Sequence, residues 1–277
     1  MARGLDHIVH AVRDLDACGA LYERLGFMVG ARNRHPWGTH NRVAQLPGFF
    51  VEILTVAEPD KLGGDGTPRL FGAYNRDFLA RHEGLSGLLM DSRDAGIAAS
   101  EPLRFEREGR RPDGTPIRLA FSLAFARDPA GAESAFAACQ HHYPANFWNP
   151  AFQAHRNGAT GVAGVVMVAE NPSDHHIFLS ALTGERELLA TSSGITVTTP
   201  RGTIQVMEPS VYERHFGVAP PDLARGARLA ALIVAVRDRA QVAALLEQAK
   251  VAAEQQMGRI VVGPQDAMGA TIVFEQS

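Results

Sequence analysis

The chain has 277 residues, 45% of them hydrophobic and 21% charged, and a formal net charge of −3. That length holds two ordinary domains or one large one, and the composition is that of a globular protein. The charge gives no electrostatic case for binding nucleic acid or an anionic membrane. The longest apolar runs, 161–169 and 229–236, are too short to span a bilayer. The N-terminus lacks the pattern of a secretory signal. Cys18 and Cys139 are the only cysteines and make no disulfide framework, so a reducing cytoplasm is the expected location.

The first unit runs from about Leu5 to Val56. Leu5 to Val12 is rich in aliphatic and β-branched residues and reads as a strand. Asp14 is placed to cap a helix over 16–25, and Gly26 to end it. Strands are expected at 27–31, 41–46 and 49–54, with Pro47-Gly48 as the last turn. The order is β-α-β-β-β. Alternation puts Leu5, His7 and Val9 on one strand face and Asp6, Ile8 and His10 on the other. Glu52 sits inside the apolar run Phe49 to Leu54, where an unpartnered carboxylate is costly. A histidine and a glutamate on neighbouring strands of one sheet make half of a divalent-metal site.

The strand–helix opening returns at Leu85, Val162 and Leu229 without the histidine. The second unit carries a short helix over 92–100 and strands at 103–106, 117–125 and 134–142. The third has a helix over 174–182, on which His175 and His176 read as solvated. The fourth has a well-patterned helix over 239–250 with Val242, Leu245, Leu246 and Ala249 on one face. The turn-rich segment 141–159 divides the chain, giving expected domains at 1–150 and 160–277.

The repeated β-α-β-β-β order, the opening Leu5-Asp6-His7 with Arg13-Asp14-Leu15, and the run Gly48 to Glu52 resemble the vicinal oxygen chelate superfamily. That group contains glyoxalase I, the bleomycin-resistance proteins and the extradiol dioxygenases. The stretches Arg34 to Arg42, Cys139 to His142 and Arg156 to Ala159 resemble a glyoxalase-like bacterial subgroup. The resemblance implies an α+β fold of four βαβββ modules, forming two cupped mixed sheets with helices on their outer faces. It implies metal ligands on the first and last strands of paired modules. His7 and Glu52 take those positions in module one. Gly87 stands at the first-strand position of module two, and Gln140 and His142 lie near its last-strand position. Gly164, Ala231, Gln205 and Val273 leave the second domain without a ligand set.

The expected metal ligands are therefore His7, Glu52 and His142, with Gln140 as a weaker fourth. Two neutral imidazoles and one carboxylate suit Zn, Fe, Mn or Ni in the divalent state. Glu52 is also the expected proton-moving residue. His35, Trp37, Asn41, Arg42 and Trp148 are expected to contact substrate through walls and hydrogen bonds. Two readings stay open. One is metal-dependent isomerase, lyase or dioxygenase chemistry on a small molecule held through adjacent oxygens. The other is metal-free sequestration of a small molecule, as in bleomycin resistance. The second domain is expected to act as a scaffold or to support a homodimer.

Overall fold

The structure is a computed structural model that describes residues 2–63, 67–92, 101–111 and 113–277. In the N-terminal half, β1 (Leu5–Ala11) leads to α1 (Leu15–Arg24), β2 (Asn33–Arg34), β3 (Thr39–Leu46) and β4 (Phe49–Val56). There follow α2 (Thr67–Arg81), β5 (Gly84–Asp91), β6 (Leu103–Arg110), β7 (Pro116–Ala126), β8 (Ala135–His141) and the short α3 (Pro144–Phe147). The C-terminal half repeats the plan. It has β9 (Ala159–Val168), α4 (His176–Thr183), β10 (Leu189–Thr191), β11 (Gly194–Thr198), β12 (Thr203–Met207) and α5 (Pro209–Phe216). It ends with β13 (Arg228–Val236), α6 (Arg239–Gln248), β14 (Glu254–Gln256), β15 (Arg259–Val262) and β16 (Thr271–Gln276).

Each half makes one curled eight-stranded mixed sheet, as the four-module α+β reading expects. The orders are β2-β3-β4-β1-β5-β8-β7-β6 and β10-β11-β12-β9-β13-β16-β15-β14. The first strand of each module pairs parallel with its last, and the two modules meet across the antiparallel β1–β5 and β9–β13 ladders. Asp14 caps α1 as its position predicts, accepting from the backbone of Asp16 and Ala17. No helix among the described residues is long and apolar enough to cross a membrane.

Two local readings need correction, and a third lies outside the described residues. Residues 27–31 form no strand; the short β2 lies at Asn33–Arg34 instead. The expected helix over 92–100 falls, from residue 93 on, outside the described residues. His175 is not solvated: it is buried, with Nδ1 2.5 Å from Asp128 Oδ2, because the turn before α4 packs between the halves. Only His176 faces solvent.

One apolar core runs through both halves, joining Ile8, Tyr22, Val51 and Phe136 to Val165, Leu232 and Phe274. The faces of the sheets that turn away from their own cups therefore meet, with α1, α4 and α6 packed around them. Gly84 (φ +131) lies so near Gly269 that a Cβ would sit 2.7 Å from its carbonyl oxygen, so only glycine allows that approach. The opposite faces carry separate clusters, one per half. In the C-terminal half, Val211, Tyr212 and Phe216 of α5 fill that face. In the N-terminal half it holds a cavity.

Candidate functional site

The cavity in the N-terminal cup has a volume of about 40 Å³, enough for at least one water. It follows from strand parity. On β4, Phe50 and Glu52 point inward; on β3, Asn41 and Val43; on β8, Cys139. The turn between β2 and β3 brings His35 and Trp37 over the opening, and Phe105 and Arg107 reach it from β6. Arg107 Nη1 donates to Asn33 Oδ1 at 2.9 Å, so β2 and β6, the two edges of the sheet, are joined above the cup.

A line of hydrogen bonds runs inward from that closure. Asn33 Nδ2 donates to Asn41 Oδ1 at 3.1 Å, and Asn41 Nδ2 donates to Glu52 Oε1 at 2.5 Å. Glu52 is held between two imidazoles. His35 Nε2 is 3.8 Å from Oε1 and His7 Nε2 is 3.7 Å from Oε2. Stacking fixes both rings: His7 lies 4.2 Å from Phe50, and His35 lies 4.8 Å from Trp37. Trp37 Nε1 is buried without a partner among the described residues, a donor left for whatever enters the cup. Burial lowers the pKa of the Arg107 guanidinium, and the nearby Glu52 opposes that shift.

Asp6 lies behind His7. The β1–β5 register pairs Leu5 with Met90 and His7 with Leu89, leaving Asp6 as the extra residue of a bulge. Strict alternation, which put Asp6 on the far face, fails there. His7 Nδ1 is 2.6 Å from Asp6 Oδ1, and His141 Nε2 is 3.0 Å from Asp6 Oδ2. With Nδ1–H donated to Asp6, the free lone pair of His7 is on Nε2, the atom facing Glu52. Burial alone would raise the Asp6 carboxyl; the charge of His141 and hydrogen bonds from His141 and His7 outweigh it. The net result lies well below the usual carboxylate range.

His7, Glu52, His35, Trp37 and Asn41 thus line one cavity, and the other expected residues do not reach it. Arg42 follows Asn41 on β3 and so points the other way, donating to Gly30 O and pairing with Glu23. On β8 the odd-numbered Ala137 and Cys139 face the cup. The structure therefore does not bring His142 to His7 and Glu52; its Nε2 lies 2.8 Å from Ser122 Oγ. Gln140 and Trp148 line a neighbouring cleft with Asp6, His141 and Arg201. Arg107, Asp6, His141 and Cys139 enter the arrangement without having been expected there. For Arg107 a signal existed, since the alternation Leu103, Phe105, Arg107 continues past the expected strand end.

The donors of the cup do not form the three-ligand set that catalytic sites of this kind use. His7 Nε2 and Glu52 Oε2 offer two positions. Across the sheet, the register sets Leu89 opposite His7 and Gly87 opposite Val9. Among the described residues, no third His, Cys, Asp or Glu donor lies within 4.8 Å of both. The chemistry of the cup is therefore read from its own side chains.

Burial also gives a stability prediction. His10 and His35 are both pushed down to about 4 by burial. Both rings are neutral in the fold, whereas in the unfolded chain they take up protons near pH 6.5. Stability from this source is complete above about pH 6.5 and is lost as pH falls toward 4, by up to roughly 3 kcal/mol per ring. The urea midpoint at pH 4.5 is expected well below that at pH 7.5, and equal midpoints would contradict the burial of both rings.

Comparison with known proteins agrees with this architecture. A family model described as a glyoxalase-like domain matches residues 5–183. No curated protein matches the chain. Among solved structures, a hypothetical protein from Staphylococcus aureus superposes with TM-score 0.70 at 11% identity, covering 99% of this chain and 100% of the other. A triply substituted 4-hydroxymandelate synthase from Streptomyces coelicolor gives 0.60 at 14% identity, covering 99% and 92%. A 2,2',3-trihydroxybiphenyl 1,2-dioxygenase from Sphingomonas wittichii gives 0.52 at 10%, covering 100% and 91%. At these identities the structures show a shared fold. With the family model spanning well over half of its length, the chain belongs to the glyoxalase-like domain family, on the fold of the vicinal oxygen chelate superfamily.

Proposed function

We propose that the N-terminal cup is the site of a proton-transfer enzyme acting on a small molecule with a flat apolar body and a carboxylate next to a carbonyl. One observation carries this reading. His7, oriented by Asp6 through Nδ1, presents Nε2 to Glu52 Oε2 across 3.7 Å inside an aromatic-walled cavity. Two bases lie side by side there, and a reacting C–H set against the pair has an acceptor in one of them and a donor, once His7 is protonated, in the other. Arg107 at the mouth supplies a fork for a carboxylate, and Phe50, Phe105 and Phe121 supply apolar walls. Val43, Arg107 and Phe147 also border an outer cleft of about 470 Å³, which gives a larger molecule room to approach. The adjacent oxygens of a 2-oxo acid match this arrangement, and the reaction class is enolisation, as in an isomerase or lyase.

The test uses phenylpyruvate as probe in deuterated buffer. Wild type is expected to speed exchange of the carbon-bound protons next to the carbonyl. Glu52→Gln and His7→Gln are each expected to lose about 10²–10⁴-fold of that rate, while Trp37 fluorescence still reports binding. Exchange at the rate of buffer alone would overturn the enzymatic reading. Binding that persists without any exchange favours the second reading, metal-free sequestration, which the aromatic-walled cavity also suits.

A further inference from the structure

We propose that Asp6, Cys139 and His141 form a site for a borderline-soft divalent cation of the Zn²⁺ class, next to the cup and separate from its reacting pair. One donor atom from each of these residues lies within 4.8 Å of the other two. A carboxylate, a thiolate and an imidazole are a donor set that selects Zn²⁺ or Co²⁺ over Mg²⁺ and Ca²⁺. Tetrahedral Zn²⁺, with bonds of about 2.0–2.3 Å, holds its ligands about 3.3–3.8 Å apart. Asp6 Oδ2 and His141 Nε2 are already 3.0 Å apart, and closing the triad takes side-chain shifts of about 1 Å.

The backbone places all three. The β1 bulge turns Asp6 toward the strand that carries the other two, and Cys139 and His141 share a face of β8. Phe121, Phe147 and Trp148 pack around the His141 ring and fix its plane. Asp6 Oδ1 stays on His7 Nδ1–H, so the ligating carboxylate is itself oriented by a hydrogen bond, as in known metal sites. The fourth position opens into a cleft of about 240 Å³ lined by Asp91, Ser92, Gln140, Trp148 and Arg201. That leaves room for a water or an exchangeable ligand.

The proton balance is closed. The arriving cation takes the place of the Cys139 thiol proton, which leaves to solvent. A second proton leaves His141 Nε2 for solvent, and the ring, whose charge is balanced by Asp6 in the cation-free protein, keeps Nδ1–H. Burial, together with Asp6, pushes the Cys139 thiol up; direct coordination is the means by which a buried thiol of this kind is deprotonated.

Cobalt reads this directly. Chelator-treated full-length protein, titrated anaerobically with Co²⁺, is expected to bind one equivalent. The complex should show a near-ultraviolet thiolate-to-metal charge-transfer band and the intense visible bands of a tetrahedral ion. Cys139→Ser should lose the charge-transfer band, whereas Cys18→Ser, His142→Ala and Glu52→Gln should keep it. Three results overturn the proposal: no binding, binding without the band in wild type, or a band that survives Cys139→Ser. The wild-type spectrum is decisive even if a variant fails to fold. Because the test is indifferent to Glu52, its failure leaves the proton-transfer reading of the cup standing, and the converse holds.

Discussion

Asp6→Asn is expected to lower the free energy of unfolding by about 3–5 kcal/mol, the usual cost of removing one member of a buried ionic cluster. Asp6 is 1% exposed and faces His7 Nδ1 and His141 Nε2, and it also takes a hydrogen bond from the Cys139 thiol. Taking a carboxylate out of water costs several kcal/mol, and hydrogen bonds to a charged group return about 1.5–3 kcal/mol each. The intact cluster is thus close to balance. The asparagine amide disturbs that balance on both sides, because it offers one acceptor oxygen and turns an N–H₂ toward groups that are themselves donors. Urea titration at pH 7.5 measures the loss. A change below about 1 kcal/mol would place Asp6 among ordinary surface-like sites and would refute the network. The substitution also frees His7 Nδ1, so the ring's preferred tautomer should change, which nitrogen chemical shifts can report.

The parts of this site visible in the sequence are those fixed by short-range patterns. Leu5 to Val12 and Phe49 to Leu54 are dense in aliphatic residues and bounded by good caps and turns, so His7 and Glu52 fall on adjacent parallel strands in the expected sense. The bulge at Asp6 has no local signature, since it exists only in the register against β5. The same shift recurs at Ala230 against β9, where alanine leaves the geometry without the chemistry. On β8 the run Ala135-Phe136-Ala137-Ala138-Cys139 places small residues on both faces. Alternation there gave no clue to which face met the cup, and His142 was taken where His141 stands. Arg107 reaches the cup that holds Glu52 only because a sheet of eight strands curls until its edges meet at Asn33, a contact between distant segments that no window of sequence displays. The helix α2 carries a readable signal in Phe71, Tyr74 and Phe78, spaced as one helical face, but it lies between two modules, where the β-α-β-β-β pattern has no place for it.

Tyr212→Ala is expected to cost about 3–5 kcal/mol, the range for emptying the place of a buried aromatic ring, and to open a cavity in the C-terminal cup. Tyr212 is 1% exposed, and its hydroxyl donates to Thr271 Oγ1 at 2.7 Å. Its ring packs 5.0 Å from Phe216 and belongs to a cluster with Val166, Val168, Ile233, Val261 and Val273. These side chains occupy the face of the sheet that in the first cup carries the cavity with His7 and Glu52. The second sheet has therefore kept the curvature and filled the hollow with a helix. Because α5 supplies what a ligand would otherwise supply, its removal should cost stability without touching the first cup. Two measurements separate this from general unfolding. The urea midpoint should fall, and xenon or benzene, which enter dry apolar cavities, should bind the variant and not the parent. If neither probe binds and stability is unchanged, α5 is not what closes the second cup. The difference between the halves would then rest on the lost side-chain donors alone.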